Sequence, residues 1–360
     1  MILVDFSAIF HQMVHSSVKI CNPAMDGEKY KTEEFMPFCY YRIFESLFDL
    51  HTRFSNQYGN IVICLDKTNK HNWRKDIYSD YKGNRKESRD ISLINFSEVF
   101  KYLDILLNEL KTNSPYKVVE SEGAEADDVI LCLAKHYSKF EKIMIISSDK
   151  DMIQAQKHGN VKQFSLLTQK FITYETKNAD SIDEWLIEHV VLGDTSDNVP
   201  KIVDTLEFSD NFKSYLNNKN LKITPFEFEK NHDLYNIKDY NIFKTNKKGE
   251  NTALDIFKKP RFGLSNIKKN IETFGTLENW INSDEHLKYN YERNKKLVLE
   301  EFIPQDIFVD CVNNYENAPT NYDYNKFKIF LNDNKISNLE TILPSNFVKS
   351  DVPIENFFDF

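Results

Sequence analysis

EGAEADDVILCLAKHYSKFEKIMIISSDKD, residues 122–151, holds an acidic turn, a helical pattern and a strand in one short stretch. Glu125, Asp127 and Asp128 open an apolar periodicity that predicts a helix from about Ala126 to Tyr137. Ile143–Ile146 is a short apolar run of the kind that forms a buried strand, and Asp149 and Asp151 follow it. A helix feeding a buried strand predicts an α/β unit, and in an open parallel sheet ligands bind outside the carboxyl ends of the strands.

The same ending recurs upstream. MILV is followed by Asp5 and IVICL by Asp66, so three strands would each deliver an aspartate to one sheet edge. A single Asp there reads as a turn residue or helix cap; three are harder to explain that way. Strands are expected at Met1–Val4, Ile61–Leu65, Tyr116–Val119, Ile143–Ile146 and Val161–Phe164, and helical patterns cover 34–58 and 93–111. Past Pro200 the alternation stops, and helical patterns at 181–192, 265–281 and 285–301 point to a helical C-terminal region, with a polar Asn- and Lys-rich stretch at 209–262. The fold class is therefore α/β: a mostly parallel sheet flanked by helices, followed by a helical C-terminal region.

LGDTSDNVP adds Asp194 and Asp197, three residues apart. Asp5, Asp66, Glu125, Asp127, Asp128, Asp149, Asp151, Asp194 and Asp197 could share a site only if cations neutralise them or protons bind. No histidine or cysteine belongs to this expected set, and all-oxygen ligation selects hard ions, Mg²⁺ or Mn²⁺, over zinc or copper. Two such ions about 4 Å apart can activate a water and stabilise the leaving oxygen of an in-line displacement at phosphorus. For the Glu125–Asp128 turn, the bland alternative is helix capping.

Net charge is −9, yet residues 67–89 hold eight Lys or Arg against three acids, and 244–269 eight against two. The first of these segments interleaves Arg74, Lys82, Arg85 and Lys86 with Trp73, Tyr78 and Tyr81, the cations and stacking faces that single strands need. It directly follows Asp66 and is expected to rise above the sheet. Lys268 and Lys269 in the second segment are candidates for duplex backbone. His11 and His15, four apart without a third ligand, read as structural. The five scattered cysteines fit a reducing, cytoplasmic setting, the first ten residues lack a secretory pattern, and no apolar run suggests a membrane span. A haloacid-type phosphatase would need Asp-x-Asp after the first strand, where Asp5-Phe6-Ser7 stands, and SSDKDMIQ lacks the glycine and distal Glu of a calcium loop.

The order LVDFS, CLDK, WRKDIYSDYKGNR, EADD, SSDKD, GDTSDNVP resembles the 5′-nuclease (flap endonuclease-like) family, and within it the ribonuclease H branch of T-even bacteriophages. The resemblance spans about residues 1–202. It implies a PIN-like core at 1–202 with a basic helical arch at 67–98, and a helical DNA-binding region at 203–345. It implies two Mg²⁺ ions, with Mn²⁺ as a substitute: Asp5, Asp66, Glu125, Asp127, Asp128 and Asp149 by the first, and Asp151, Asp194 and Asp197 by the second. Lys82 and Arg85 resemble arch-base cations that steer the scissile phosphate. The implied activity is 5′-to-3′ exonuclease and flap endonuclease action on DNA and RNA–DNA duplexes, removing primers or flaps in phage replication as a monomer. The alternative is a junction-binding protein of the same fold that does not cut. The family's helix–hairpin–helix is interrupted here, and PRFGLSNIKKNIETFG (260–275) is the nearest candidate for its second half. The tail 346–360 carries Ile354, Phe357, Phe358 and Phe360 and resembles sliding-clamp peptides, or else folds back on its own core. A single-stranded-DNA-binding protein is a further expected partner.

Overall fold

Ile2–Asp5 (β1) is buried along its whole length and pairs in parallel on both sides, which makes it a central strand. One neighbour is Ile61–Cys64 (β2), which pairs with Lys117–Val119 (β3). The other is Ile143–Ile146 (β4), followed by Val161–Ser165 (β5) and the antiparallel edge strand Lys170–Ile172 (β6). The sheet order is thus β3-β2-β1-β4-β5-β6. The computed structural model describes residues 1–177, 179–203, 207–208, 210–223, 243–245, 251–253, 257–258, 262–319, 323–334 and 336.

Alternate residues of the strands feed two apolar layers, as the period of two requires. Ile2, Val4, Ile61, Ile63, Met144 and Ile146 face one core, with Phe6–Cys21 (α1), Met36–Tyr58 (α2) and Phe96–Thr112 (α5). Leu3, Val62, Cys64, Ile143 and Ile145 face the other, with Ala126–Tyr137 (α6) and helix Gln305–Glu316 through Ile307 and Cys311. Each large side chain fully buried in this way stabilises the fold by about 1.5–3 kcal/mol. All five expected strands are present. The sixth, β6, went unanticipated because it is three residues long with one buried position.

The basic segment after Asp66 forms two short helices, Trp73–Ile77 (α3) and Arg85–Asp90 (α4). Ile182–Leu192 (α7) precedes the Asp194–Asp197 turn, and Gly193, at φ 62°, releases the chain from the helix in a conformation that disfavours other residues.

The chain separates into two compact units. The first comprises, of the described residues, those of Met1–His189 and Asp194–Val199 and those from Arg293 to residue 336. The region expected to form one block after residue 202 is therefore divided: Phe327 and Leu331 of helix Tyr324–Asp333 pack into the α1–α2 core. The second unit comprises Val190–Gly193 and Pro200–Glu292. Within it, Lys201 Nζ donates to the Phe262 carbonyl (2.6 Å) and Asn290 Nδ2 to the Ile202 carbonyl (3.1 Å). The expected 265–281 pattern is two helices, Leu264–Phe274 and Leu277–Ile281, broken at Gly275. Lys268 and Lys269 are exposed on the first. The tail residues Ile354, Phe357, Phe358 and Phe360 lie outside the described residues, as does most of 209–262.

Candidate active site

Sheet order explains how acids far apart in sequence meet. The strands β2, β1 and β4 are adjacent, and Asp66, Asp5 and Asp149 stand at or just past their carboxyl ends. Each acid is held by a backbone amide. Asp5 caps α1 by accepting from Ala8 N (2.9 Å), Asp66 accepts from Ala126 N at the start of α6 (2.9 Å), and Asp149 accepts from Asp151 N (2.9 Å). Ser147 Oγ donates to Asp5 (2.9 Å), and Ser7 Oγ donates to Asp66. The capping reading is thus true of these residues, but it leaves their charge uncompensated.

Among the described residues, Asp5, Asp66, Asp127 and Asp149 have no ion pair with Lys, Arg or His. Burial pushes Asp5 up to about 6, with the Asp66 charge adding to it, and pushes Asp149 up to about 7, with Asp151 adding. Asp127 is raised well above the usual range by burial and then by Asp149 and Asp5. These mutual effects place the acids together. Asp5 is buried, Asp127 and Asp149 are half-buried and Asp66 is exposed. Carboxylates crowded together and partly desolvated are unstable as anions unless they take up protons or a metal ion, and the oxygen donors suit a hard divalent cation.

A second group is neutralised by protein cations. Glu125 accepts from Lys82 Nζ (2.8 Å), Tyr81 Oη (3.0 Å) and Asn72 Nδ2 (3.0 Å). Burial would raise its pKa, but Lys82 and Arg74 outweigh that and hold it at about 2. Asp197 accepts from Arg85 (2.8 Å) and Tyr81 (2.9 Å), with Lys82 Nζ at 3.5 Å. The turn carrying Lys82 is fastened to this loop: Lys82 N donates to the Asp197 carbonyl (2.8 Å), and Asn198 Nδ2 to that of Asp80 (2.8 Å). A side chain at Gly83 would stand 3.0 Å from the Asp80 carbonyl oxygen, so the turn admits only glycine without shifting.

Asp128 is placed differently from the other expected metal ligands. It is fully buried, paired with Arg74 at 2.8 Å, and accepts from Trp73 Nε1 (3.1 Å) and the Glu125 amide (2.9 Å). Arg74 and Tyr81, expected on a nucleic-acid surface, are 5% and 3% exposed and serve these buried acids. The Arg74 Nε also donates to the Leu297 carbonyl (2.9 Å), tying α3 to helix Glu285–Val298. Arg74 and, in part, Lys82 are drawn inward because buried carboxylates need them more than solvent does, while Lys70, Lys75 and Arg89 stay exposed. Arg85 stays exposed, while the Lys86 side chain lies outside the described residues.

Asp151, Asp194 and His189 form a third group, whose candidate ligand atoms all lie within 4.8 Å of one another. The His189 Nε2 lies 2.7 Å from Asp151, and Lys150 Nζ 3.2 Å from Asp194, which also accepts from Ser196 N (2.7 Å). Despite burial, His189 holds Asp151 below the usual carboxylate range, and Ser196 and Lys150 do the same for Asp194. The sequence expectation contained no histidine, and no signal in the sequence marked His189, whose ring stacks on Trp185 at 5.0 Å.

The profile described as "5'-3' exonuclease, N-terminal resolvase-like domain" matches residues 1–184. The chain is 36% identical over 146 residues to the ribonuclease H of Enterobacteria phage T4, covering 40% of this chain and 47% of that protein. It is 30% identical over 185 residues to a 5'-3' exonuclease of Buchnera aphidicola (48% and 61% covered), and 33% identical over 134 residues to a flap endonuclease of Shewanella woodyi (36% and 49%). The chain thus spans about half the length of these relatives. Among solved structures, it resembles the bacteriophage T5 flap endonuclease in a pseudo-enzyme–product complex with DNA and metal ions. The TM-score is 0.51 and the identity 17%, over 88% of this chain and 99% of that one, a likeness of fold. The chain belongs to the 5′-3′ exonuclease family.

Proposed function

We propose that this chain is a metal-dependent phosphodiester hydrolase acting from 5′ ends, an exonuclease with flap endonuclease activity on DNA and RNA–DNA duplexes. The observation that carries the reading is the group Asp5, Asp66, Asp127 and Asp149: three acids at the carboxyl ends of adjacent strands and one in the first turn of α6. Among the described residues these four form no ion pair, with Lys82 and Arg85 nearby on Glu125 and Asp197. Two divalent ions, Mg²⁺ or Mn²⁺, would be held by that group with Glu125 and by Asp151, Asp194 and Asp197. When bound, they supply the activated water and stabilise charge on the leaving oxygen.

The chain's own residues do the rest. The Ala8, Ala126 and Asp151 amides fix the three strand-end carboxylates, so little reorganisation is needed when ions arrive. Lys82 and Arg85 stand on Glu125 and Asp197 at the rim, where a phosphate could replace one carboxylate partner. Half-buried Lys82, its pKa raised by Glu125 and Asp197 against the effect of burial, stays charged through neutral pH. Lys268 and Lys269 offer backbone contacts to duplex. The tail after Val352 is proposed to dock a sliding clamp, and a chain ending there should lose clamp stimulation while keeping basal cleavage.

The deciding measurement is cleavage of a 5′-labelled flap duplex and an RNA–DNA hybrid with Mg²⁺, beside EDTA and an Asp127→Asn, Asp149→Asn double variant. Metal-dependent short products, abolished in the variant, support the reading. Intact binding without cleavage by the wild type would leave a junction-binding protein instead.

A further inference from the structure

We infer that His189 is a direct nitrogen ligand of the second cation site, which makes that site mixed nitrogen–oxygen and tunes it toward Mn²⁺ and its transition-metal neighbours over Mg²⁺. The inference rests on the metal-dependent reading above but assigns a ligand that an all-aspartate site would lack.

Four observations on the geometry support it. The imidazole is 5% exposed, and its Nε2 points at the Asp151 carboxylate, 2.7 Å away. The ring is stacked against Trp185 with an interplanar angle of 22°, which limits the directions in which the nitrogen can be aimed. The Asp194 carboxylate completes a trio whose donor atoms lie within 4.8 Å of one another. Ligands about 2.1 Å from a six-coordinate ion stand about 3 Å apart when adjacent and about 4.2 Å apart when opposite, so the trio needs only a small contraction to close on one ion. Finally, Lys150 Nζ lies 3.2 Å from Asp194, a movable positive charge that an ion could replace.

The chemistry of the donor set gives the selectivity. Carboxylate and water ligands serve Mg²⁺, whereas imidazole strengthens binding along the series from Mn²⁺ toward Cu²⁺. The first group, Asp5, Asp66, Asp127 and Asp149, offers oxygen alone. The two sites would therefore fill differently: Mg²⁺ is accepted by the first, and Mn²⁺ is preferred at the second. For His189 to bind through Nε2, its proton must sit on Nδ1 or leave, and the hydrogen bond to Asp151 is exchanged for a shared ion.

The test uses Mn²⁺ alone as probe on the full-length protein, without substrate. Pulsed EPR should show nitrogen modulation on bound Mn²⁺, and incorporation of ¹⁵N-histidine should shift it. In His189→Gln the modulation should vanish, and calorimetry should show one of the two Mn²⁺ sites losing at least about tenfold in affinity, while Mg²⁺ binding changes less. The wild-type spectrum decides even if the variant folds poorly. Two Mn²⁺ ions bound with no histidine nitrogen coupling would overturn the inference and reduce His189 to an orienting hydrogen-bond partner of Asp151, leaving the nuclease reading intact. A coupling that persists in His189→Gln would also overturn it. Failure to bind any Mn²⁺ would overturn both.

Discussion

Asp149 and Asp5 are both sensitive to what neutralises them. With pKa values raised to about 7 and about 6, they carry protons in slightly acidic solution that ordinary aspartates would have lost. A divalent ion binds the anions, so loading at pH 6 must expel protons that loading at pH 8.5 has less need to expel. Calorimetry in two buffers of different ionisation enthalpy should report more protons released per ion at pH 6 than at pH 8.5. Equal release at both would mean that the acids are already ionised in the free protein. At this scale the sequence was informative for Asp5, Asp66 and Asp149, because each stands at or just past the end of an apolar run, and the change to polar residues marks where a buried strand stops. It was silent on His189, since nothing in a helix pattern says that its face meets Asp151, thirty-eight residues away.

The two short helices after Asp66 divide the work that their composition suggested was shared. Arg74 on α3 is buried and paired with Asp128, whereas Arg85 at the start of α4 is exposed and bonded to Asp197. Removing one partner of a buried pair leaves a bare charge and costs about 3–5 kcal/mol. Arg74→Ala should therefore lower the denaturation midpoint sharply, while Arg85→Ala should leave it near the wild-type value and depress cleavage. Chemical denaturation and a cleavage assay on the same preparations would separate them; equal midpoints would refute the division. A charged, aromatic-rich segment reads as solvated from sequence because burial of its cations depends on acids fifty residues downstream. Helix Gln305–Glu316 escaped notice for a related reason: its buried residues, Ile307, Cys311 and Val312, are few, and its importance comes from packing on α6.

The first unit closes around the sheet through its C-terminal segment. Glu300 is 4% exposed, its amide donates to Gln154 Oε1 (2.7 Å), and its carboxylate takes Lys157 (2.9 Å) and His158 (2.7 Å). Burial alone would raise its pKa, but His158 and Lys157 hold it below the ordinary value. A lowered carboxylate pKa adds stability that is fully present above the unfolded value, near 4.5, and is lost as pH falls through the folded value. Glu300→Gln should thus melt below the wild type at pH 7, and the gap should narrow on acidification below about 4.5. A gap independent of pH would show that packing, rather than charge, holds the segment. The α/β class was legible because buried strands and amphipathic helices alternate through residue 164. The return of residues 293–336 to that core was not, because it depends on pairings across the full chain.

The central position of β1 has a consequence for the protein while it is being made. It precedes both of its neighbours in the chain, so one hydrogen-bonding edge waits for β2 at residue 61 and the other for β4 at residue 143. Until then the emerging chain displays an unpaired strand, apolar up to Asp5, a template for wrong partners. Because Asp5, Asp66 and Asp149 come into register only through those two pairings, the same delay keeps the acids apart, so a half-made chain has no assembled acidic centre.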